Sequence, residues 1–350
     1  VSVTARQARI GEVLAEQQLD GLLITDLVNV RYLCGFTGSN GVLVVLPTDS
    51  RYTVAARDEV HDTEVVIAGR DLMDRLAEVV PGGRIGIEAE NVSVARRDRL
   101  GARLHGVELV ATAGLVEGLR VVKDAGELDL IREATRIADA ALLRLVEEGF
   151  TGRTEAEVAW ALEGWMRDLG ASGASFDIIV AGGPGGALPH AVPRAEHIPP
   201  DTLVVVDMGA RYAGYASDCT RTLATGTLPP ALGDAYAVCL EAQRAALAAC
   251  RSGVHSGDLD RVARGIISDA GLGEYFGHGL GHGVGLNIHE RPWLRQEGGE
   301  VLQTGMVVTI EPGIYLEGVG GVRIEDLAIV TDDGCEVLTR LPTDLITTST

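Results

Sequence analysis

The chain has no C-x-x-C pair, and its five cysteines (Cys34, Cys219, Cys239, Cys250 and Cys335) are odd in number and scattered. That pattern argues against a disulfide framework and a thiolate zinc site, and it fits a reducing compartment. No stretch approaches the roughly 18 uninterrupted apolar residues of a membrane span. Val1 to Asp20 is charged and amphipathic, without the apolar centre of a signal peptide, so the expected address is the cytoplasm. Basic residues are in short supply: 30 Lys and Arg stand against 50 Asp and Glu, for a formal net charge of -20. Nucleic acid and anionic membrane are therefore not expected partners, because both select a basic footprint. Low-complexity tracts and short-period repeats are also missing.

The 350 residues that are present exceed the usual size of a single core, which predicts two domains. Hydrophobic residues at 46% and charged residues at 23% are the balance of a globular chain. The first third alternates helix and strand. Thr4 to Gln18 and Asp71 to Val80 have helical periodicity, while Gly21–Thr25, Gly41–Leu46, Arg51–Val54 and Arg84–Ile87 are short strands. Beyond Leu119 long helices and strand-rich segments come in blocks. Capping boxes at Asp124–Glu127 and Thr154–Glu157 open two helices, and two more cover about 231–251 and 257–270. Glycine-rich, strand-rich segments occupy 176–181, 203–222, 276–290 and 305–330. The expected organisation is a small α/β domain over 1–118 followed by an α+β domain over 119–350.

The second of these carries residues that imply chemistry. Asp207 ends the apolar run Val204-Val-Val, and Asp218 follows in Gly214-Tyr-Ala-Ser-Asp218-Cys-Thr-Arg-Thr222. A hairpin turning near Tyr212–Ala213 brings the two carboxylates face to face, where one must be protonated or a cation must lie between them. The plain alternative is that one Asp caps a turn and the other pairs with Arg221. Gly277-His278-Gly-Leu-Gly-His282-Gly-Val-Gly-Leu-Asn-Ile-His289-Glu290 holds three of the chain's eight histidines. Its glycines forbid a stable helix and require a close approach or a sharp turn. Without a βαβ context it is not a dinucleotide fingerprint. Glu311 ends an apolar strand, where a carboxylate is costly unless compensated, and Arg323 and Glu325 share one face of the next strand. Asp207, Asp218, His282, Glu311 and Glu325 together make four carboxylates and one imidazole. Oxygen-rich ligation with a single nitrogen favours manganese, cobalt or iron over a structural zinc. Four negative charges balance two divalent ions, and a pair about 3.5–4 Å apart can hold a bridging hydroxide and polarise a carbonyl.

At these residues the sequence resembles the pita-bread metallopeptidases, in their prolidase and aminopeptidase P branch. Asp207-x10-Asp218-x-Thr-Arg-Thr, His278-Gly-Leu-Gly-His282, His289-Glu, Glu311-Pro-Gly and Val322-Arg-Ile-Glu-Asp326 stand in the family's order. Ser175–Val180, Leu188-Pro-His190, Asn29–Gly38 and Arg51-Tyr-Thr53 extend the likeness over nearly the whole chain. The resemblance implies a creatinase-like N-terminal domain before a pita-bread catalytic domain, a homodimer, and cleavage of the bond before proline in di- or oligopeptides. It implies that Asp207 binds one divalent ion, that Asp218 and Glu325 bridge two, and that His282 and Glu311 complete the direct ligands of the other ion. Manganese is the first expectation, with cobalt, iron and zinc as alternatives. Glu311 would carry a proton to the departing prolyl nitrogen, and His190 and His289 would hold substrate and its oxyanion. His278 would line the proline pocket, Arg323 would orient the ligand carboxylates, and Tyr215 would stand near the metals. One departure, the glycine-rich run Ala181–Ala187, is expected to alter the substrate rim.

Three other readings compete. Methionine aminopeptidase resembles the catalytic part but lacks the N-terminal domain, creatinase does without the metal ligands, and a silent relative would bind without catalysis. Within the branch, a dipeptidase must neutralise the proline carboxylate, and Arg51 or Arg31 is the expected group, reaching from a neighbouring subunit.

Overall fold

The structure, a computed structural model, describes residues 2–47, 51–55, 64–66 and 72–348. The chain divides into two compact units, Val1–Arg120 and Val121–Thr350. In the first, strands β1 (Gly21–Ile24), β2 (Gly41–Val45), β3 (Arg51–Ala55), β4 (Glu64–Val66), β5 (Gly83–Glu88) and β6 (Val107–Thr112) form one sheet. Their order is β4-β3-β2-β1-β5-β6, with β1 parallel to β5, β5 parallel to β6, and β2 antiparallel to both neighbours. Helices α1 (Val3–Glu16), α2 (Leu27–Cys34), α3 (Leu72–Val79), α4 (Val94–Arg103) and α5 (Leu115–Arg120) connect and flank the strands. Leu23, Val42, Val44, Leu76, Ile85 and Leu100 form the core of this α/β unit. Leu27–Cys34, to which the sequence reading assigns no element, is helical because Asp26 caps its start and Gly35, at φ 80°, supplies the left-handed stop.

The second unit is built from two helix pairs and their strands. Helices α6 (Ala125–Glu148) and α7 (Glu155–Asp168) start at complete capping boxes on Asp124 and Thr154. They share a core with strands from β7 (Gly173–Ala174), β8 (Ile179–Gly182), β9 (Leu203–Met208), β10 (Ala210–Tyr212), β11 (Tyr215–Ala216) and β12 (Cys219–Ala224). Helices α8 (Pro230–Ala249) and α9 (Ser256–Asp269) pack against the remaining strands. Those are β13 (Gly281–Gly283), β14 (Glu290–Leu294), β15 (Val307–Ile310), β16 (Gly313–Leu316), β17 (Gly320–Arg323), β18 (Asp326–Val330) and β19 (Cys335–Val337). Strand orders are β12-β9-β8 in the first half and β14-β13-β15-β18-β19 in the second, with β16-β17 as a separate hairpin. Every residue of β9 is buried, so both its faces are covered, which accounts for its apolar run. Among the described residues no helix is long and apolar enough to cross a membrane.

One motif shows how the halves are joined. In Thr220-Arg221-Thr222 the side chains alternate across β12. The Thr220 and Thr222 hydroxyls donate to Glu325 Oε2 (2.7 Å) and to the Arg323 carbonyl (2.8 Å). Arg221, on the other face and fully buried, pairs with Asp326 Oδ1 at 2.7 Å. Gln243 of α8 and Thr339 donate to the same Asp326 carboxylate.

The region 276–290, expected to be rich in strand, is mostly loop. Only Gly281–Gly283 and the start of β14 are extended there. A run with so few side chains gives the sheet little to pack, so most of it travels as loop.

Candidate metal centre

The five candidate ligands arrive from both halves of the second unit. Asp207 sits in β9 directly opposite Thr220, with Asp218 just before β12. The hairpin turns at Ala213 and Gly214, both at positive φ, so the two aspartates are diagonal neighbours on one face rather than a facing pair. Glu311 follows the last residue of β15, and Glu325 lies between β17 and β18. His282 is the middle residue of β13. It is held there because Gly281 and Gly283 pack against backbone: a Cβ on either would overlap the carbonyl of Thr309 or of Arg291. Ligand atoms of Asp207, Asp218 and Glu325 lie within 4.8 Å of one another. His282 Nε2 closes the group, 3.2 Å from Glu311 Oε1 and 3.6 Å from Asp218 Oδ2.

The electrostatics of this cluster call for a cation. Burial, reinforced by the neighbouring carboxylates, pushes Asp218 and Glu325 well above the ordinary carboxylate range, and Asp207 upward. Burial acts in the same sense on Glu311, but the hydrogen bond and charge of His282 outweigh it and take Glu311 down to about 2. Among the described residues Asp207 Oδ1 and Glu325 Oε1 are buried and accept no hydrogen bond. On His282, Nδ1 lies 3.1 Å from the Gly283 carbonyl, which can only accept, so Nδ1 carries a proton. Burial lowers the ring, but the hydrogen bond and charge of Glu311 outweigh it and raise His282, so Nε2 holds a proton toward the carboxylates that a divalent ion would replace. The donor set fits divalent ions, four carboxylates supplying charge and one nitrogen supplying a borderline ligand.

These groups form the floor of a cavity of about 670 Å³. Its walls include Phe176, Ile178, Pro189, Val192, Trp293 and Arg295. His190, His278 and His289 line it too, and the His289 ring meets that of His282 edge-on at 4.4 Å between centroids. Burial, helped by the charge of His282, lowers His289, so its ring is neutral near pH 7.

Residues 129–332 match the metallopeptidase family M24, and residues 6–122 match the creatinase/prolidase N-terminal domain. The chain belongs to metallopeptidase family M24. An Xaa-Pro dipeptidase of Pyrococcus furiosus is 35% identical to it, covering 97% of this chain and 99% of that one. The solved structure of an Xaa-Pro dipeptidase from Bacillus anthracis is 37% identical, with TM-score 0.95 over 99% of this chain and 100% of the other. An X-Pro aminopeptidase from Thermotoga maritima is 35% identical, with TM-score 0.87 over 95% and 99%. The fold is thus α+β, an M24 pita-bread unit with a creatinase-type N-terminal domain.

Around the M24 cluster, the remaining predicted residues fall as follows. Arg323 donates from Nη2 to Asp207 Oδ2 (2.6 Å), from Nε to Thr220 Oγ1 (3.1 Å) and from Nη1 to the Pro189 carbonyl (3.1 Å). Arg323 thus pairs with Asp207, and Asp218 does not pair with Arg221, whose partner is Asp326. Tyr215 is not by the cluster in the expected way: its hydroxyl donates to Glu127 Oε1 (2.8 Å), and it does not line the cavity. The Ala181–Ala187 run does not shape the rim either. Its Gly186 carbonyl passes where a side chain on Gly321 would stand, wedging the run against β17. Arg31 lies in α2 of the first unit, and the side chain of Arg51 lies outside the described residues.

Two residues absent from the sequence reading belong to the site. Tyr315 joins Arg323 to His278: Arg323 Nη1 donates to its oxygen (2.8 Å), and His278 Nε2 lies 2.9 Å away. Since His278 Nδ1 faces the Gly279 carbonyl at 2.8 Å, Nε2 must be the acceptor and Tyr315 the donor. Burial lowers His278, in keeping with that neutral ring. Arg295 brings the cavity a second guanidinium. Tyr315 follows the Glu311-Pro-Gly motif closely enough to be found by extending it, whereas nothing in the spacing marks Arg295.

Proposed function

We propose that this chain is an Xaa-Pro dipeptidase with two divalent ions held by Asp207, Asp218, His282, Glu311 and Glu325. The observation that carries the reading is the cavity itself, with a floor of three buried carboxylates, a fourth that is partly buried, and one imidazole, beside a guanidinium. Manganese suits the oxygen-rich donors best. Bound ions supply Lewis acidity, polarising the carbonyl before proline and acidifying water.

The chain's own groups do the rest. The proline amide has no N–H and a fixed ring, so it needs a shaped pocket and a proton delivered to the leaving nitrogen. Glu311, kept ionised beside His282, accepts a proton and hands it to the prolyl nitrogen. His190 and His289 hold the substrate and donate toward the carbonyl oxygen as charge develops on it. His278, fixed by Tyr315, lines the proline pocket, while Arg323 orients Asp207. Arg323 is committed to that task, so we assign the free carboxylate of the dipeptide to Arg295, whose Nε donates to the Glu297 carbonyl (3.1 Å). We also place the protein in the cytoplasm, on its cysteine pattern, and infer a homodimer from its family membership.

The second reading is an X-Pro aminopeptidase, favoured by the likeness to the Thermotoga maritima structure. Metal-stripped protein reloaded with manganese separates the two on Xaa-Pro dipeptides and Xaa-Pro-Xaa tripeptides. Cleavage of dipeptides alone supports the dipeptidase. In that case Arg295→Leu raises KM about 10- to 100-fold, the range of a lost charge-assisted hydrogen bond. Cleavage of tripeptides makes it an aminopeptidase, and no metal-dependent cleavage of either leaves a silent relative.

A further inference from the structure

The His289-Glu290 dipeptide contributes its histidine to the cavity, but the reaction leaves the carboxylate of Glu290 without a task. That carboxylate is buried and pairs with an equally buried lysine: Lys123 Nζ lies 2.9 Å from Glu290 Oε1, with the two side chains 1% and 9% exposed. Lys123 also donates to the Val121 carbonyl at 3.2 Å. Taking two charges out of water is expensive, so a pair at this depth needs a good geometric reason to persist.

Both ends of the pair are anchored. Lys123 receives no slack from its backbone, since its N–H donates to the Gly305 carbonyl (2.9 Å) and the next residue, Asp124, caps α6. Glu290 opens β14 opposite Gly283, one residue after His282. Between them runs the loop 284–289, and Glu290 lies directly on Gly285, where any side chain would collide with its carboxylate. The Asn287 N–H points to Glu290 Oε2 at 3.4 Å, a long contact of the same loop. Arg211 and Ala216 hold this loop at Leu286 and Gly285. On the far side His289 itself has its place against the His282 ring.

We propose that Lys123 is a positioning residue: locked to Glu290, it fixes the end of the 284–289 loop so that His289 stays against His282 and over the reacting carbonyl. His282 does not depend on it, because β13 is held by its own strand pairing and by Thr309. The proposal rests on the Xaa-Pro reading for its kinetic readout, and it separates metal binding from histidine placement.

The test is a mutant cycle on the manganese-loaded protein. Lys123→Met is expected to lower kcat on an Xaa-Pro dipeptide about 10-fold or more, the usual cost of losing an outer-layer support. Two bound metals per chain should remain. Added to His289→Ala, the same change should cost less than about 2-fold, because both remove one function. Full additivity, or a Lys123→Met kcat within about 2-fold of the parent, overturns the proposal. Should Lys123→Met fail to fold with Glu290 left unpaired, Lys123→Met/Glu290→Gln removes both charges and is expected to fold. It should still be slow; parental kcat in that double variant also overturns the proposal. If the parent cleaves no Xaa-Pro dipeptide, the functional reading fails by itself. The imidazole NMR signal of His289 then decides the matter, shifting in the lysine variant if Lys123 holds the ring and staying in place if it does not.

Discussion

Each buried carboxylate of the cluster is answered by a particular atom. Arg323 reaches Asp207, Thr220 reaches Glu325, and His282 lies between Asp218 and Glu311. Tyr315 stands one step further out, donating to His278 and accepting from Arg323, so both partners depend on one hydroxyl. Tyr315→Phe keeps the ring and deletes that link. We expect a stability loss of about 1–3 kcal/mol for two buried groups left short of a partner, read by urea denaturation. We also expect kcat/KM to fall about 10-fold, since His278 loses its fixed orientation. Unchanged kinetics would show that the hydroxyl only packs. At this scale the sequence reading found the charged residues, because a carboxylate at the end of an apolar strand is conspicuous. It missed Tyr315 and Arg295, whose partners are reached only by folding.

At the scale of elements, the glycines around His282 and the threonines around Arg221 do related work. Gly281 and Gly283 let β13 lie close to β15 and β14, and Thr220 and Thr222 stitch β12 to the segment that carries Arg323 and Glu325. Gly281→Ala places a methyl group against the Thr309 carbonyl, which lies across the narrow β13–β15 contact. The strand must move, taking His282 with it. The expected cost is about 1–3 kcal/mol of overpacking, together with fewer than two metals bound per chain by elemental analysis. Full metal content in a stable variant would mean that the site tolerates a shifted β13. Helices α1, α3 and α6 to α9 were legible from caps and periodicity. The stretch 276–290 was not, because a three-residue strand among glycines has no period to read.

Over the whole molecule the cluster couples protons to stability. Without metal, burial raises Asp218 and Glu325 above their unfolded values, and Glu311 raises His282 against the effect of its burial. In each case the folded state binds protons more tightly than the unfolded chain, so stability is lost as pH rises through the folded values and gained as it falls. Glu311, at about 2, opposes this only at pH values below its ordinary 4.5, and the lowered His278 and His289 oppose it only around and below their ordinary 6.5. Above that range the raised groups act alone, so metal-stripped protein should melt at higher temperature near pH 7 than near pH 9. Manganese competes with those protons, so its stabilisation should be largest at the higher pH, about 2.7 kcal/mol at a hundred times Kd. Thermal unfolding of stripped and loaded protein across this range checks the sign. Identical pH dependence of the two forms would remove the metals from the cluster.

The order of residue types along the chain was enough to single out the candidate residues. Carboxylates at or near the ends of apolar strands are costly unless compensated, and a histidine flanked by glycines is conspicuous; both signals are local and visible in one dimension. Local rules also set the α+β class, since capping boxes and apolar periods act over a few residues. The pairing of these groups was decided by tertiary structure alone. Arg221 faces Asp326 and Arg323 faces Asp207 because the sides of β12 alternate and because the two helix–sheet halves of the second unit meet along β12 and β17. The tie between Lys123 and Glu290 spans most of that unit in sequence, and its closeness depends on how the intervening strands stack.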